Sequence, residues 1–221
     1  MGPFFDIYDR ACARKGQAAL EENLPEPKSL DALRAIPDDR YLSMMATVIF
    51  RSGFSWKVVE NKWPGFEEAF EGFDPHRVAM YADEELERLV SDKGIIRNGQ
   101  KIKSVIDNAG FIVGLANEHG SAGSFFASWP ADDFTGLWTY LKKNASRLGG
   151  NSGPLFLREM GWDTPMMSRD VVRVLIAEGV VDKAPTSQKA LAAVQEAFNA
   201  WSAESGRPNA QISRIMAQSI E

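Results

Sequence analysis

In the stretch SDKGIIRNGQKIKS, residues 91–104, Arg97, Lys101 and Lys103 crowd around a turn bracketed by Gly94 and Gly99. An amphipathic helix runs into the turn and another leaves it. Backbone N–H groups at the start of the second helix, together with its macrodipole, favour an anion there. Arg97 and Lys101 add charge at the same place, and the chemistry implied is the holding of a phosphate. An ordinary helical hairpin with solvated basic residues fits the same pattern. A second basic group lies at Lys142, Lys143 and Arg147.

The remaining composition narrows the chemistry. The chain has 221 residues, 44% hydrophobic and 25% charged, which suits a folded protein with a substantial core. Its formal charge of −5 argues against a broad polyanion-binding surface but leaves room for a local basic patch. Cys12 is the single cysteine, so no internal disulfide forms, and with only His76 and His119 beside it no zinc-ligand spacing arises. No metal and no other cofactor is expected. The N-terminal residues lack the apolar core of a signal peptide, and no run approaches the ~18 apolar residues of a membrane span. A cytoplasmic, monomeric protein with no membrane association is the expectation.

The elements that must position the basic turn read as helical throughout, and the fold class is all-α. Ser29 caps a short helix, and a longer one follows from Asp38 to near Gly53. Ser55 opens a helix through Val58, Val59, Trp63, Phe66 and Phe70, with Pro64 expected to kink or split it. Asp74 and Pro75 stand at the cap and first position of another. An acidic helix then leads into the turn, and the helix after it runs to about His119; together they form a hairpin module over residues 83–117. Residues 121–130 read as a loop, residues 131–143 as a helix and residues 146–154 as a glycine-rich loop or linker. Further helices are expected from Pro154 to Met160, Ser168 to Glu178, Ser187 to Trp201 and Asn209 to Ile220. Residues 1–221 are expected to form one helical domain of two intimate lobes.

Residues 52–109 resemble the 3-methyladenine DNA glycosylase I family. The matched positions are Gly53, Ser55 and Trp56; Phe73, Asp74 and Pro75; Val78 and Ala79; Asp92, Gly94, Ile95, Ile96 and Arg97; Lys101 and Ile102; Asn108 and Ala109. The resemblance implies a two-lobed helix-hairpin-helix DNA glycosylase fold in which Gly94, Ile96, Arg97, Gly99 and Lys101 grip the backbone of double-stranded DNA. It further implies that an alkylated purine, foremost 3-methyladenine, is flipped from the duplex and excised by hydrolysis. Trp56, with Phe5 and Tyr8 of the N-terminal aromatic segment, would line the base pocket, where a cationic base gains cation–π attraction. Each of these rings also suits plain core packing.

Several positions depart from the family pattern. Val48 stands where a glutamate reads the edge of the flipped base, Asp9 stands where a zinc-binding histidine is expected, and Phe5 lacks a tyrosine hydroxyl. The catalytic residue is unassigned. Wider helix-hairpin-helix glycosylases carry an aspartate five residues before an Arg-Val pair; aligned on Arg173 and Val174 that position is Ser168, and nearby Asp170 suits either a cleft carboxylate or a first-turn acid serving the helix dipole. Other members use a hairpin lysine as a Schiff-base nucleophile, but Lys101 is read here as a phosphate contact. The alternative function is a non-catalytic DNA-binding protein that has lost glycosylase chemistry, and a third is a helical interaction protein without a nucleic-acid role.

Overall fold

The computed structural model describes residues 1–220, and among them fourteen α-helices and one 3₁₀ turn account for all regular structure. The helices are α1 (Phe4–Lys15), α2 (Gln17–Glu22), α3 (Leu30–Arg34), α4 (Asp38–Arg51), α5 (Trp56–Ala69), α6 (Pro75–Val78) and α7 (Asp83–Ser91). They continue as α8 (Gly99–His119), α9 (Ala122–Ser128), α10 (Phe134–Asn144), α11 (Ser152–Met160), α12 (Arg169–Ala177), α13 (Gln188–Ser205) and α14 (Asn209–Gln218). None of the described helices is long and apolar enough to cross a membrane.

The chain divides into two compact units. Unit 1 comprises Met1–Lys28, Pro130–Leu137 and Gly161–Glu221, and unit 2 comprises Ser29–Trp129 and Trp138–Met160. In unit 1, α14 packs against α1, α12 and α13 around Phe4, Ile7, Val174, Phe198, Trp201 and Ile212, all fully buried. In unit 2, α4 packs along α8, with Leu42, Met45 and Phe50 against a helix whose Ile102, Val105, Ala109 and Ile112 are fully buried. Full burial of side chains of this size stabilises by about 1.5–3 kcal/mol each, so this pairing fixes the base of the hairpin.

Local signals explain most helix starts. Ser29, Ser168 and Ser187 each accept a backbone N–H from the first turn of α3, α12 and α13, and Asp74 accepts from both His76 and Arg77 ahead of Pro75. Ser55 occupies the cap position of α5 without a side-chain bond. Of the kink or split expected at Pro64, the split does not occur: α5 is continuous through the proline. The proline is exposed, and its neighbours hold the helix: Trp63 stacks on Phe66 and on Phe73 at 5.1 and 5.5 Å between ring centres.

Residues 121–130 are likewise not a plain loop, because α9 forms within them. Ser121 Oγ accepts from Ser124 N at 2.9 Å, and Asp38 Oδ1, remote in sequence, accepts from Ala122 N at 2.8 Å. This distant cap satisfies an N–H at the start of a helix whose own sequence is glycine- and serine-rich. Phe125 and Phe126 become buried as a result, and Phe126 stacks on Tyr41 at 5.1 Å.

Candidate functional site

The basic turn lies in unit 2, between α7 and α8. Ile95 and Ile96 point inward, 2% and 8% exposed, while Arg97 stays exposed between the buried pair and α8. Asp92 Oδ1 accepts from Gly94 N at 2.7 Å, closing the first half of the turn. Asn98 Oδ1 accepts from Lys101 N at 3.1 Å, capping α8, and Asn98 N donates to Ile96 O at 2.9 Å. The apolar pair anchors the turn and the caps set its backbone, so Arg97 is displayed beside the positive end of a 21-residue helix. Gly94 and Gly99 are both exposed.

A neighbouring helix fixes the turn from a second side. Lys62 Nζ donates to Lys93 O at 2.7 Å. One turn further along α5, a Cβ built on Gly65 would stand 2.6 Å from Gly94 O and 3.0 Å from its carbonyl carbon. Only glycine lets the two backbones approach this closely. Since α5 begins at Trp56, one helix carries both the matched tryptophan and the support of the turn.

Trp56 is 48% exposed, with the Arg51 guanidinium carbon 4.6 Å from its ring centre. Arg51 Nη2 donates to Glu60 Oε1 at 3.0 Å, and its Nε is buried without a hydrogen-bond acceptor among the described residues. Phe54, beside Trp56, is 44% exposed. Val48 is 2% exposed within α4, and no carboxylate replaces the glutamate expected at that position.

Lys101, read from the sequence as a phosphate contact, turns its ammonium toward the end of α4. Its Nζ donates to Ser52 O at 2.6 Å and Phe50 O at 3.2 Å, and only 7% of the residue is exposed. Burial first, and Arg147 second, pull its pKa below the usual lysine value. Arg147 adopts φ +60° and donates from Nη2 to Gln100 Oε1 at 2.6 Å. The loop carrying it is held by Asn108, fully buried, which accepts from Ser146 N at 2.7 Å and donates to Ser146 O at 3.0 Å. The stretch 146–154 therefore includes a docked loop of unit 2 and the start of α11.

Glu67, to which the sequence lent no role, is a hub of the same unit. Arg40 donates to both of its oxygens at 2.9 and 3.0 Å, Ser43 Oγ at 3.0 Å and Trp63 Nε1 at 3.1 Å. Burial alone would raise its pKa; these donors, Arg40 foremost, hold it below the ordinary carboxylate value.

Unit 1 holds Phe5, Tyr8 and Asp170. Phe5 is 54% exposed, and Tyr8 lies one helical turn beyond it on α1. Tyr8 donates to Glu21 Oε1 at 2.6 Å, and Arg207 donates to both Glu21 oxygens at 2.6 and 3.2 Å while its guanidinium carbon sits 5.1 Å from the Tyr8 ring. The Glu21 bond is the main reason that the Tyr8 pKa is pushed up to about 12, with burial second. Asp170 stands in the first turn of α12, where its nearest cation is Arg173 Nη1 at 3.8 Å. Asp9 is exposed, and no three His, Cys, Asp or Glu side chains among the described residues converge as a metal would require. The donor set thus does not fit the zinc site that the resemblance would bring.

The methyladenine glycosylase family profile matches residues 34–144, half of the chain. DNA-3-methyladenine glycosylase 1 of Escherichia coli strain K12 is 44% identical over 59 residues, 27% of this chain and 32% of that protein. The chain therefore matches about a third of the length of that relative. A crystal structure of 3-methyladenine DNA glycosylase I is similar with a TM-score of 0.51 at 23% identity, covering 66% of this chain and 87% of that one. The Methanocaldococcus jannaschii 8-oxoguanine glycosylase/lyase, solved in complex with a 15mer DNA containing 8-oxoguanine, is similar with a TM-score of 0.50 at 11% identity over 96% of this chain and 94% of that one. At these identities the two structures show a shared all-helical glycosylase fold.

Proposed function

The chain belongs to the methyladenine glycosylase family, and from that premise we propose that it is a DNA glycosylase that releases alkylated purines, 3-methyladenine foremost, from double-stranded DNA. The observation that carries the proposal is the half-exposed Trp56 ring at the head of α5, the same helix that braces the hairpin turn through Gly65. Arg97 beside the α8 N-terminus supplies the backbone contact, and Trp56 supplies a π face for a base turned out of the stack.

The electrostatics suit a cationic base. Arg51 covers one region of the Trp56 ring, but its charge is paired with Glu60 at 3.0 Å, which reduces repulsion toward a second cation. An N3-alkylated adenine carries positive charge in DNA. Cleavage of its glycosidic bond sends the electron pair to the base, which leaves neutral, while a water oxygen bonds to the sugar C1′ and its proton passes to solvent. A leaving group of this kind needs little general-acid help, so positioning and exclusion of bulk water carry much of the rate. That is consistent with a region in which Val48 offers no hydrogen bond to the base edge and Glu67 is fully engaged by Arg40, Ser43 and Trp63. Phe5 and Tyr8 are assigned to the base by the resemblance alone.

The test is release of free 3-methyladenine from methylated duplex DNA by the purified protein, with Trp56→Ala as control. Buried Val48 in place of a base-reading carboxylate favours one second reading, a DNA-binding protein without chemistry. That reading predicts salt-dependent binding weakened by Arg97→Ala and no base release.

A further inference from the structure

The turn from Ser52 to Trp56 has little of its own to hold it. Gly53 sits at φ +74°, Ser55 makes no side-chain cap bond, and Phe54 N donates only locally, to Arg51 O at 3.2 Å. Yet Trp56 must present one face in a fixed place if it is to receive a base. The tie from outside the turn is the Lys101 ammonium, which reaches across 49 residues of sequence to Ser52 O at 2.6 Å and across 51 to Phe50 O at 3.2 Å. These carbonyls end α4, where a helix leaves its acceptors unpaired and a cation is favoured. The same Nζ lies 4.8 Å from the Phe54 ring centre and 5.8 Å from that of Phe50. Two of its three donors are thus filled by carbonyls and its flank by aromatic faces. The third donor is left in a site where only 7% of the residue is exposed, beside two aromatic rings, so a phosphate would have to enter that site or draw the ammonium away from both carbonyls.

We infer that Lys101 is a positioning residue that locks the Ser52–Trp56 turn to the hairpin helix, and that it makes no phosphate contact. Its consequence for base release rests on the glycosylase reading; its structural part does not. The inference couples the two halves of unit 2: the helix whose N-terminus meets the DNA backbone also holds the turn that presents Trp56.

Four measurements on the protein test it. In the wild-type protein with ¹⁵N-labelled lysine, one ammonium should give a slowly exchanging proton signal at neutral pH that Lys101→Arg removes and that persists when duplex DNA is added. In Lys101→Met, the amides of residues 52–56 should exchange at least about tenfold faster, with partial protection regained in Lys101→Arg. The slope of log affinity against log salt for duplex DNA should stay at the wild-type value, where loss of one phosphate contact would reduce it by about 0.9. Base release should fall by about 10- to 100-fold in kcat, with KM changed far less, because a misplaced ring costs orientation rather than affinity. A reduced salt slope with unchanged exchange at residues 52–56 would overturn the inference, as would the absence of a protected ammonium. If Lys101→Met does not fold, the wild-type ammonium signal and the Lys101→Arg exchange decide the matter. If the wild-type protein releases no base, the glycosylase reading fails while the exchange and ammonium results still decide the role of Lys101.

Discussion

Gly65→Ala offers a sharp test of how the hairpin is held. In an exposed helix interior, replacing glycine by alanine stabilises by about 0.5–1 kcal/mol, because the unfolded chain loses freedom. Gly110, exposed on α8 with nothing within 4 Å of a built Cβ, should show that gain. At Gly65 the same methyl would meet the Gly94 carbonyl at 2.6 Å, so one backbone must retreat by about 1 Å. Overpacking of this kind costs about 1–3 kcal/mol, and here the obstacle is main chain rather than a side chain that can rotate away. The two substitutions, chemically identical, should therefore differ by about 1–3 kcal/mol, with Gly110→Ala the more stable. Urea denaturation followed by circular dichroism gives the difference, and hydrogen exchange should locate the loosening at Lys93–Asn98. If Gly65→Ala proves as stable as Gly110→Ala, the close approach of α5 to the turn is refuted.

Acid stability should depend on two carboxylates. Glu67, engaged by Arg40, and Glu21, held down first by Arg207 and then by Tyr8, both have pKa values below the ordinary one. Their charged forms favour the fold, so the stability they supply is present above the unfolded-state value and is lost as pH falls through the lowered folded value. Urea midpoints measured from neutral pH down to about pH 3 should fall, and Glu67→Gln should be less stable by about 1–2 kcal/mol at neutral pH with a shallower acid dependence. A Glu67→Gln protein with the wild-type profile would contradict this. Glu21→Gln should bring the Tyr8 pKa down from about 12 toward the ordinary tyrosine value of 10.0, read by ultraviolet titration against Tyr8→Phe. No change would mean that the carboxylate does not hold the phenol. Arg97→Ala should weaken duplex binding about equally for all sequences and reduce the salt slope by about 0.9, and an unchanged slope would remove Arg97 from the interface.

Much of this arrangement was legible in the residues themselves. The caps at Ser29, Asp74, Ser168 and Ser187 are local: each side chain bonds an N–H two or three residues on, so sequence alone locates the helix start. The hairpin was legible because Ile95 and Ile96 sit between two glycines and two periodic helices. What escaped depends on partners distant in sequence. Lys101 looks like a surface cation until α4 supplies the carbonyls of Phe50 and Ser52. The helix α9 needs Asp38 to cap it, Glu67 needs Arg40, and Glu21 needs Arg207, which is 186 residues away. Long-range bonds of polar side chains leave no periodic trace, and a buried cation and a solvated one are spelled alike.

The most direct test of the central claim is the incubation of the purified protein with methylated duplex DNA, followed by chromatographic identification of the free bases, alongside Trp56→Ala. The account predicts release of 3-methyladenine by the wild-type protein and its loss, by about tenfold or more, in Trp56→Ala. Salt-dependent binding of the duplex by a folded protein with no base released would contradict the glycosylase reading and leave a DNA-binding protein built on the same hairpin.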